Sequence, residues 1–276
     1  MRIARDALGV GLRPVHYREA FDDPSGVDFF EVIAENFLAT GPVPESNLER
    51  ARALRPVTLH GVSLDLCGTD PLDLGHLGQV KELVERIDAP FFTDHLCWTR
   101  IGGWNSHDLL PVPFTEAIAD HAADRARTVQ AALPVPFGIE NLSSGVAFST
   151  STLTEWEFYR RVTGSSGTWL HLDINNVFVS ASNHGFDPVE YLEAIDWDRV
   201  LYVHLAGHTV RPDGLRIDTH DAPVCPEVWE LYRKAWILGG PFPTLLERDD
   251  RFPTWSELVE ELQQARSVRR PRRRKG

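Results

Sequence analysis

Short apolar runs recur along the chain, and most of them end on a histidine or a carboxylate. VDFFEVI (Val27 to Ile33), PVTLHGV, PFFTDHL, PFGIENL (Pro136 to Leu142), TWLHLDI, RVLYVHLA and PTLLERD are rich in β-branched or aromatic residues and read as strands. ALGVGLRP, near the N-terminus, reads as one more strand ahead of them. Between these runs the apolar positions change to helical spacing. From Leu74 to Ile87 they place Leu77, Val80, Leu83, Val84 and Ile87 on one stripe. Further helices are expected at Glu49 to Leu54, Phe114 to Leu133, Leu153 to Val162, Pro188 to Ile195, Glu227 to Leu238 and Trp255 to Arg266. Two stretches stand outside the alternation: an insertion from Thr99 to Pro113 and a polar loop, GHTVRPDGLRIDTHDAPVCP.

Strands alternating with helices imply parallel pairing, because a parallel connection needs a crossover long enough to hold a helix. The strand-end residues Glu31, His60, His95, Glu140, Asp173, His204 and Glu247 lie about 30 to 45 positions apart, one strand plus one crossover. Eight such units predict a single-domain α/β fold, a (β/α)8 TIM barrel over residues 1–266, followed by a basic, disordered tail at 267–276. Active sites of this fold sit at the C-terminal ends of the strands, where these polar residues fall. A doubly wound open sheet is the structural rival, but the chain has no GxGxxG turn to support it.

Charge narrows the choice of partner. The net charge is -12, yet Arg266 to Gly276 holds seven of the 28 basic residues; without it, 21 face 40 acidic residues, so the body carries -19. Such a body is ill suited to nonspecific nucleic-acid binding. No apolar run approaches the roughly 18 residues of a membrane span, and MRIARDALGVGLRP lacks the features of a secretory signal, so no membrane partner and a cytoplasmic location are expected. Cys67, Cys97 and Cys225 show no CxxC spacing, which argues against a disulfide framework or a thiolate zinc site.

If the strand ends converge, several imidazoles and carboxylates become buried together. Without cations, that leaves like charges uncompensated or forces large pKa shifts. Bound metal removes the penalty. Mixed histidine and carboxylate ligation suits iron, manganese or zinc, and so many candidates exceed the needs of one ion. Two or three metals bridged by carboxylate, roughly 3.5 to 4 Å apart, would use the set, with Glu140 near the middle of the cluster. Asp218 and His220, in DTHD, point the same way if that segment is extended, and join the candidates. Asn176, His184 and His208 read either as groups that orient ligands or as loop caps. His171 lies deeper than Asp173 and is read as structural. Glu35 and Asn36 are expected at the barrel mouth as positioning groups, and His107 at the entrance, with Trp98 and Trp104 nearby. Cys97 reads as a small buried hydrophobe rather than a nucleophile.

The motifs LHGVSLDLCGTDPLD, TDHLCW, HDLLPVPFT, GIENLS, HLDINNVFVSASNHGFDP, VHLAGH and DTHDAPV resemble those of the multinuclear non-haem iron-dependent oxidases, over about Gly9 to Leu262. That family was long catalogued as a domain of unknown function and includes the oxidase subunit of methanobactin biosynthesis. The resemblance implies a xylose-isomerase-like barrel and two or three iron ions that use dioxygen to oxidise a ribosomally synthesised peptide, often at cysteine. It implies as metal ligands His60, His95, Glu140, Asp173, His204, Asp218, His220 and Glu247, with Asn176 and His184 near them. It also implies a separate partner protein that binds the peptide leader. The last strand reads LLERDD where the family pattern has an aromatic after the glutamate, so Arg248 is expected to alter the substrate pocket. Other readings of such a barrel are a divalent-metal sugar isomerase or epimerase, a zinc phosphodiesterase, and a non-catalytic metal-binding scaffold.

Overall fold

In the computed structural model, which describes residues 2–38 and 41–269, eight parallel strands close into a barrel. They are β1 (Leu8–Gly11), β2 (Phe29–Ile33), β3 (Val57–Gly61), β4 (Phe92–His95), β5 (Phe137–Glu140), β6 (Trp169–Asp173), β7 (Val200–Leu205) and β8 (Thr244–Leu246). Each pairs with its sequence neighbours, and β1 closes the ring on β8. The expected barrel is therefore the observed one, and the open-sheet rival is excluded. Of the tail expected at 267–276, Ser267 and Val268 instead continue the last helix and Arg269 donates to the Tyr232 and Thr244 hydroxyls; residues 270–276 lie outside the described residues.

The helices are α1 (Tyr17–Asp22), α2 (Pro42–Leu54), α3 (Leu74–Ile87), α4 (Glu116–Ala132), α5 (Glu155–Ser166), α6 (Ile174–His184), α7 (Pro188–Ala194), α8 (Pro226–Gly239) and α9 (Trp255–Val268). α3 has the expected bounds, capped where Asp73 accepts from the His76 N–H and ended by Asp88 in the left-handed region. α2 starts seven residues before its expected beginning. Pro42 opens its first turn, where a missing N–H is no loss. α6 was not expected as a helix, since INNVFVSASNH is poor in strong helix formers. It forms because Asp173 caps it, accepting from the Asn176 N–H at 2.6 Å, and because Ile174, Val177 and Ala181 bury one face. The insertion folds as an antiparallel hairpin, Trp98–Ile101 against Trp104–Leu110, and a smaller one joins Thr209–Val210 to Arg216–Ile217.

Alternate strand residues face helices or barrel axis. The outward set packs with the helices into the main core. Inside, Ala7, Phe29, Phe91, Tyr202 and Leu245 fill the N-terminal end. The interior turns polar above that plug, so the buried apolar floor carries a buried ionisable layer. None of the described helices is long and apolar enough to cross a membrane.

Candidate metal centre

Strand register brings the polar layer together. His95 lies beside Glu140, Glu140 beside His171, and Asp173 beside His204 on adjacent strands. Glu140 Oε2 stands 3.0 Å from His60 Nε2, 3.1 Å from His95 Nε2 and 3.3 Å from His171 Nδ1. His204 lies 3.1 Å from both Glu31, through Nε2, and Glu247, through Nδ1. Glu247 Oε2 then reaches His220 Nδ1 at 3.3 Å, and His220 Nε2 reaches Asp218 at 2.7 Å. The result is a continuous chain of donors across the barrel mouth, hinged on Glu140, His204 and Glu247. Among the described residues, four overlapping sets could each hold an ion: His60, His95 and Glu140; Glu140, His171 and His204; Glu31, His204 and Glu247; and His220, Glu247 and Asp249.

Neighbouring groups aim these donors. His95 Nδ1 donates to the Gly61 carbonyl at 3.1 Å, which leaves Nε2 with its lone pair toward Glu140. His60 Nδ1 is 2.8 Å from Thr93 Oγ1, which meets Tyr202 Oη at 3.1 Å, and Tyr202 donates to Glu31 Oε2 at 2.5 Å. Arg13, buried at the end of β1, donates from Nη2 to Glu247 Oε1 at 2.7 Å and Asp249 Oδ1 at 2.6 Å. Asn141 bridges β5 to β6, donating to the Asp173 carbonyl and accepting from the Asp173 N–H. Asp218 is held by Asn175, whose amide donates to it at 2.6 Å while its Oδ1 meets His208 Nδ1 at 2.8 Å. The loop carrying Asp218 and His220 closes onto the end of β7 because Gly207 has no side chain; a Cβ there would lie 1.9 Å from the Ala222 carbonyl oxygen.

The donor set fits metal. Glu31 Oε1, Glu140 Oε2, Asp173 Oδ2, His171 Nδ1 and Nε2, His204 Nδ1 and His220 Nε2 are buried with no hydrogen-bond partner. So many orphaned donors in one layer are costly unless a cation satisfies them. Electrostatics pull the same groups apart. Burial would raise the Glu140 and Glu247 carboxyls, but facing histidines hold both well below the usual range. Asp173 goes the other way, pushed well up by burial and then by Asp218. Burial opposes charge on His60, yet Glu140 lifts its imidazole to about 9; burial prevails on His95 and His171, which drop. Cations in place of shared protons resolve this conflict.

A cavity of about 370 Å3 opens above the layer, bordered by Asp108, Leu109, Asn176 and the 215–219 loop. Several expected positions fall elsewhere. His184 is exposed at the far end of α6 and lines a different cavity, because that unexpected helix carries it a full eleven residues from Asp173. Glu35 accepts from the Val62 N–H and Asn36 is exposed on a 3-10 turn, so neither lines the reaction cavity. His107 is exposed on its hairpin, leaving Asp108 and Leu109 at the entrance. Arg248 faces α9, donating to Glu261 at 2.6 Å; with Glu247 inward, strand alternation turns its neighbour outward. Asp218 and His220 do meet, but through a left-handed His220 backbone (φ 48) rather than an extended segment. His171, read as structural, contacts Glu140 directly. Cys97 is fully buried and its thiol is pushed well up by burial.

Glu31 was among the strand-end residues but outside the ligand set that the resemblance implies, and Arg13, Asn141, Asn175 and Asp249 were not among the expected site residues. Arg13 follows the end of a strand, so the same positional signal could have found it; Asp249 lies in a loop, where no periodicity applies.

Residues 7–270 match the family model of the RiPP precursor modification enzyme MbnB/TglH/ChrH, RiPP denoting ribosomally synthesised and post-translationally modified peptides. A "UPF0276 protein" of Rhizorhabdus wittichii is 47% identical over 96% of both chains, and one of Caulobacter vibrioides 46% identical over 95% of this chain and 94% of its own. Among solved structures, D-psicose 3-epimerase from Clostridium cellulolyticum H10 superposes with a TM-score of 0.63 at 13% identity, covering 95% of this chain and 98% of its own. A xylose isomerase-like TIM barrel protein from Mycobacterium smegmatis, in complex with magnesium, reaches 0.56 at 12% identity over 91% and 85%. These last two likenesses are of fold alone.

Proposed function

The chain belongs to the MbnB/TglH/ChrH family of RiPP precursor modification enzymes, and from that premise we propose that it is a multinuclear iron-dependent oxidase. Its substrate is a ribosomally made peptide, modified at cysteine with dioxygen as co-substrate, and a separate protein holds the peptide leader. The observation that carries this reading is the chain of buried ligand atoms hinged on Glu140, His204 and Glu247, in which Glu31 Oε1, Glu140 Oε2 and His204 Nδ1 lack hydrogen-bond partners. A chain of that length suits two or three ions better than one.

His60, His95 and Glu140 would hold one end, with Asp173 and His204 toward the middle, and Glu247, His220 and Asp218 the other end. His171, Glu31 and Asp249 stand close enough to share in ligation. Bound there, iron supplies redox chemistry toward dioxygen and lowers the pKa of a substrate thiol. The protein does the rest by position. The Gly61 carbonyl and Thr93 fix the ring orientations of His95 and His60, Arg13 aims Glu247, and the apolar plug below keeps the layer from bulk water. Cys97 does not serve as nucleophile in the reading, since it is sealed in the core.

Metal analysis of protein purified without chelator, paired with oxygen uptake in the presence of candidate cysteine peptides, tests the proposal. Iron with peptide-dependent oxygen uptake is expected. His60→Ala and Glu140→Ala should lower iron content and abolish uptake while the fold persists; full iron occupancy in both variants would overturn the ligand assignment. Magnesium or manganese in place of iron, with turnover of a keto sugar, would favour the epimerase reading.

A further inference from the structure

Beside the reaction cavity lies a second one of about 260 Å3, and the two share their dividing wall. Along 142–147, Leu142, Ser143 and Gly145 face the reaction cavity while Ser144, Val146 and Ala147 face the second. Along 108–112 the same division puts Asp108 and Leu109 on one side and Pro111 and Val112 on the other. A peptide lying across either segment would present neighbouring side chains to both cavities at once.

The second cavity is lined by partly exposed aromatic rings, Phe114, Phe148, Trp156 and Phe186, so its walls are apolar. Glu155, at the start of α5, also lines it. Its residue is 7% exposed and its Oε1 has no hydrogen-bond partner. Burial raises this carboxyl to about 8, the Tyr191 and Ser180 hydroxyls only partly opposing, so near neutral pH it is an uncharged hydrogen-bonding group within an apolar pocket. That combination suits an aromatic ring with one polar edge and leaves a cation without its counter-charge. His184, displaced from the metal layer by α6, stands among the lining residues.

We propose that this cavity is a specificity subsite for an aromatic residue of the peptide substrate, packed against the rings of Phe148, Trp156 and Phe186, with its N–H or O–H donated to Glu155 Oε1. The subsite rests on the peptide reading given above. It would select substrates carrying tryptophan or tyrosine close in sequence to the modified residue, a requirement separate from leader binding and from the metals.

Ligand-observed NMR with indole, 1-methylindole and N-acetyl-tryptophanamide tests the site on the full chain. Saturable binding of all three is expected, with indole tighter than 1-methylindole because only indole can donate to Glu155. Ala147→Trp, at an exposed loop position on the wall, should weaken N-acetyl-tryptophanamide by about tenfold. Glu155→Leu should erase the preference for indole while 1-methylindole still binds. His60→Ala should leave all three unchanged, which separates this site from the metal centre. A second arm compares cysteine hexapeptides having tryptophan at one to four residues from the cysteine with alanine controls; tighter binding in the wild type but not in Ala147→Trp is expected. Absence of saturable probe binding, or equal binding by wild type and Ala147→Trp, overturns the site. Probe binding with no gain from tryptophan in the peptides overturns its assignment to the substrate. Failure of every cysteine peptide to bind, with probes still bound, is instead the failure of the peptide reading.

Discussion

Replacing Arg13 by methionine removes a buried cation while keeping most of its apolar stem. The guanidinium makes three short contacts, Nη2 to Glu247 Oε1 at 2.7 Å, Nη2 to Asp249 Oδ1 at 2.6 Å and Nε to Asp249 Oδ1 at 3.0 Å. Its loss frees Glu247 to rotate, and Glu247 Oε2 is what faces both His204 and His220. Removing a partner that orients a ligand typically weakens metal roughly 10- to 100-fold, or about 1.4 to 2.7 kcal/mol. Breaking a buried pair costs roughly 3 to 5 kcal/mol of folding stability. The lower end applies to Arg13, because the Asp249 side chain is 44% exposed and water can replace that contact. The effect should be local: His60, His95 and Glu140 make no contact with Arg13, so their end keeps its metal. Chelator competition with metal counted per chain measures the first quantity, and denaturant unfolding the second. Equal chelator resistance in wild type and variant, or simultaneous loss of every ion, would refute the reasoning.

Other consequences can be checked separately. Glu155 holds its proton to about 8 in the folded chain, against 4.5 when unfolded. Its contribution to stability is therefore fully present below 4.5 and declines by at most about 1.4 kcal/mol per pH unit until 8. Glu155→Gln should flatten that decline in urea midpoints measured across the window, and parallel slopes would count against the buried acid. Gly207→Ala, whose Cβ would meet the Ala222 carbonyl oxygen at 1.9 Å, should cost roughly 1 to 3 kcal/mol. It should also loosen metal held by Asp218 and His220; chelator resistance equal to wild type is the contrary result. Arg248→Ala removes the ion pair with Glu261 and should lower the melting temperature while leaving metal content unchanged. A drop in metal would return Arg248 to the reaction pocket.

The strand-end histidines and acids were legible because two periodicities sit side by side in the chain. Period-two apolar runs ending on His60, His95 and Glu140, separated by a helical stripe such as Leu77 to Ile87, leave little choice but a closed parallel sheet with its polar ends gathered. The same alternation, applied past Glu247, would have turned Arg248 away from the pocket. α6 was hidden because Asn and Ser are weak helix formers, and only the Asp173 cap and a buried face decide it. With α6 missed, His184 was assigned to the wrong cavity.

What the sequence determined by itself was local: which apolar runs make the barrel strands, and hence which polar groups fall at the barrel mouth. What only the tertiary structure decided was which atoms meet. Arg13 and Glu247 lie at opposite ends of the chain, and the barrel closes only where β1 meets β8, so no local pattern links them. The metal layer, its orienting contacts and the adjoining aromatic cavity are all products of that closure, because contact across the barrel depends on register and not on sequence distance.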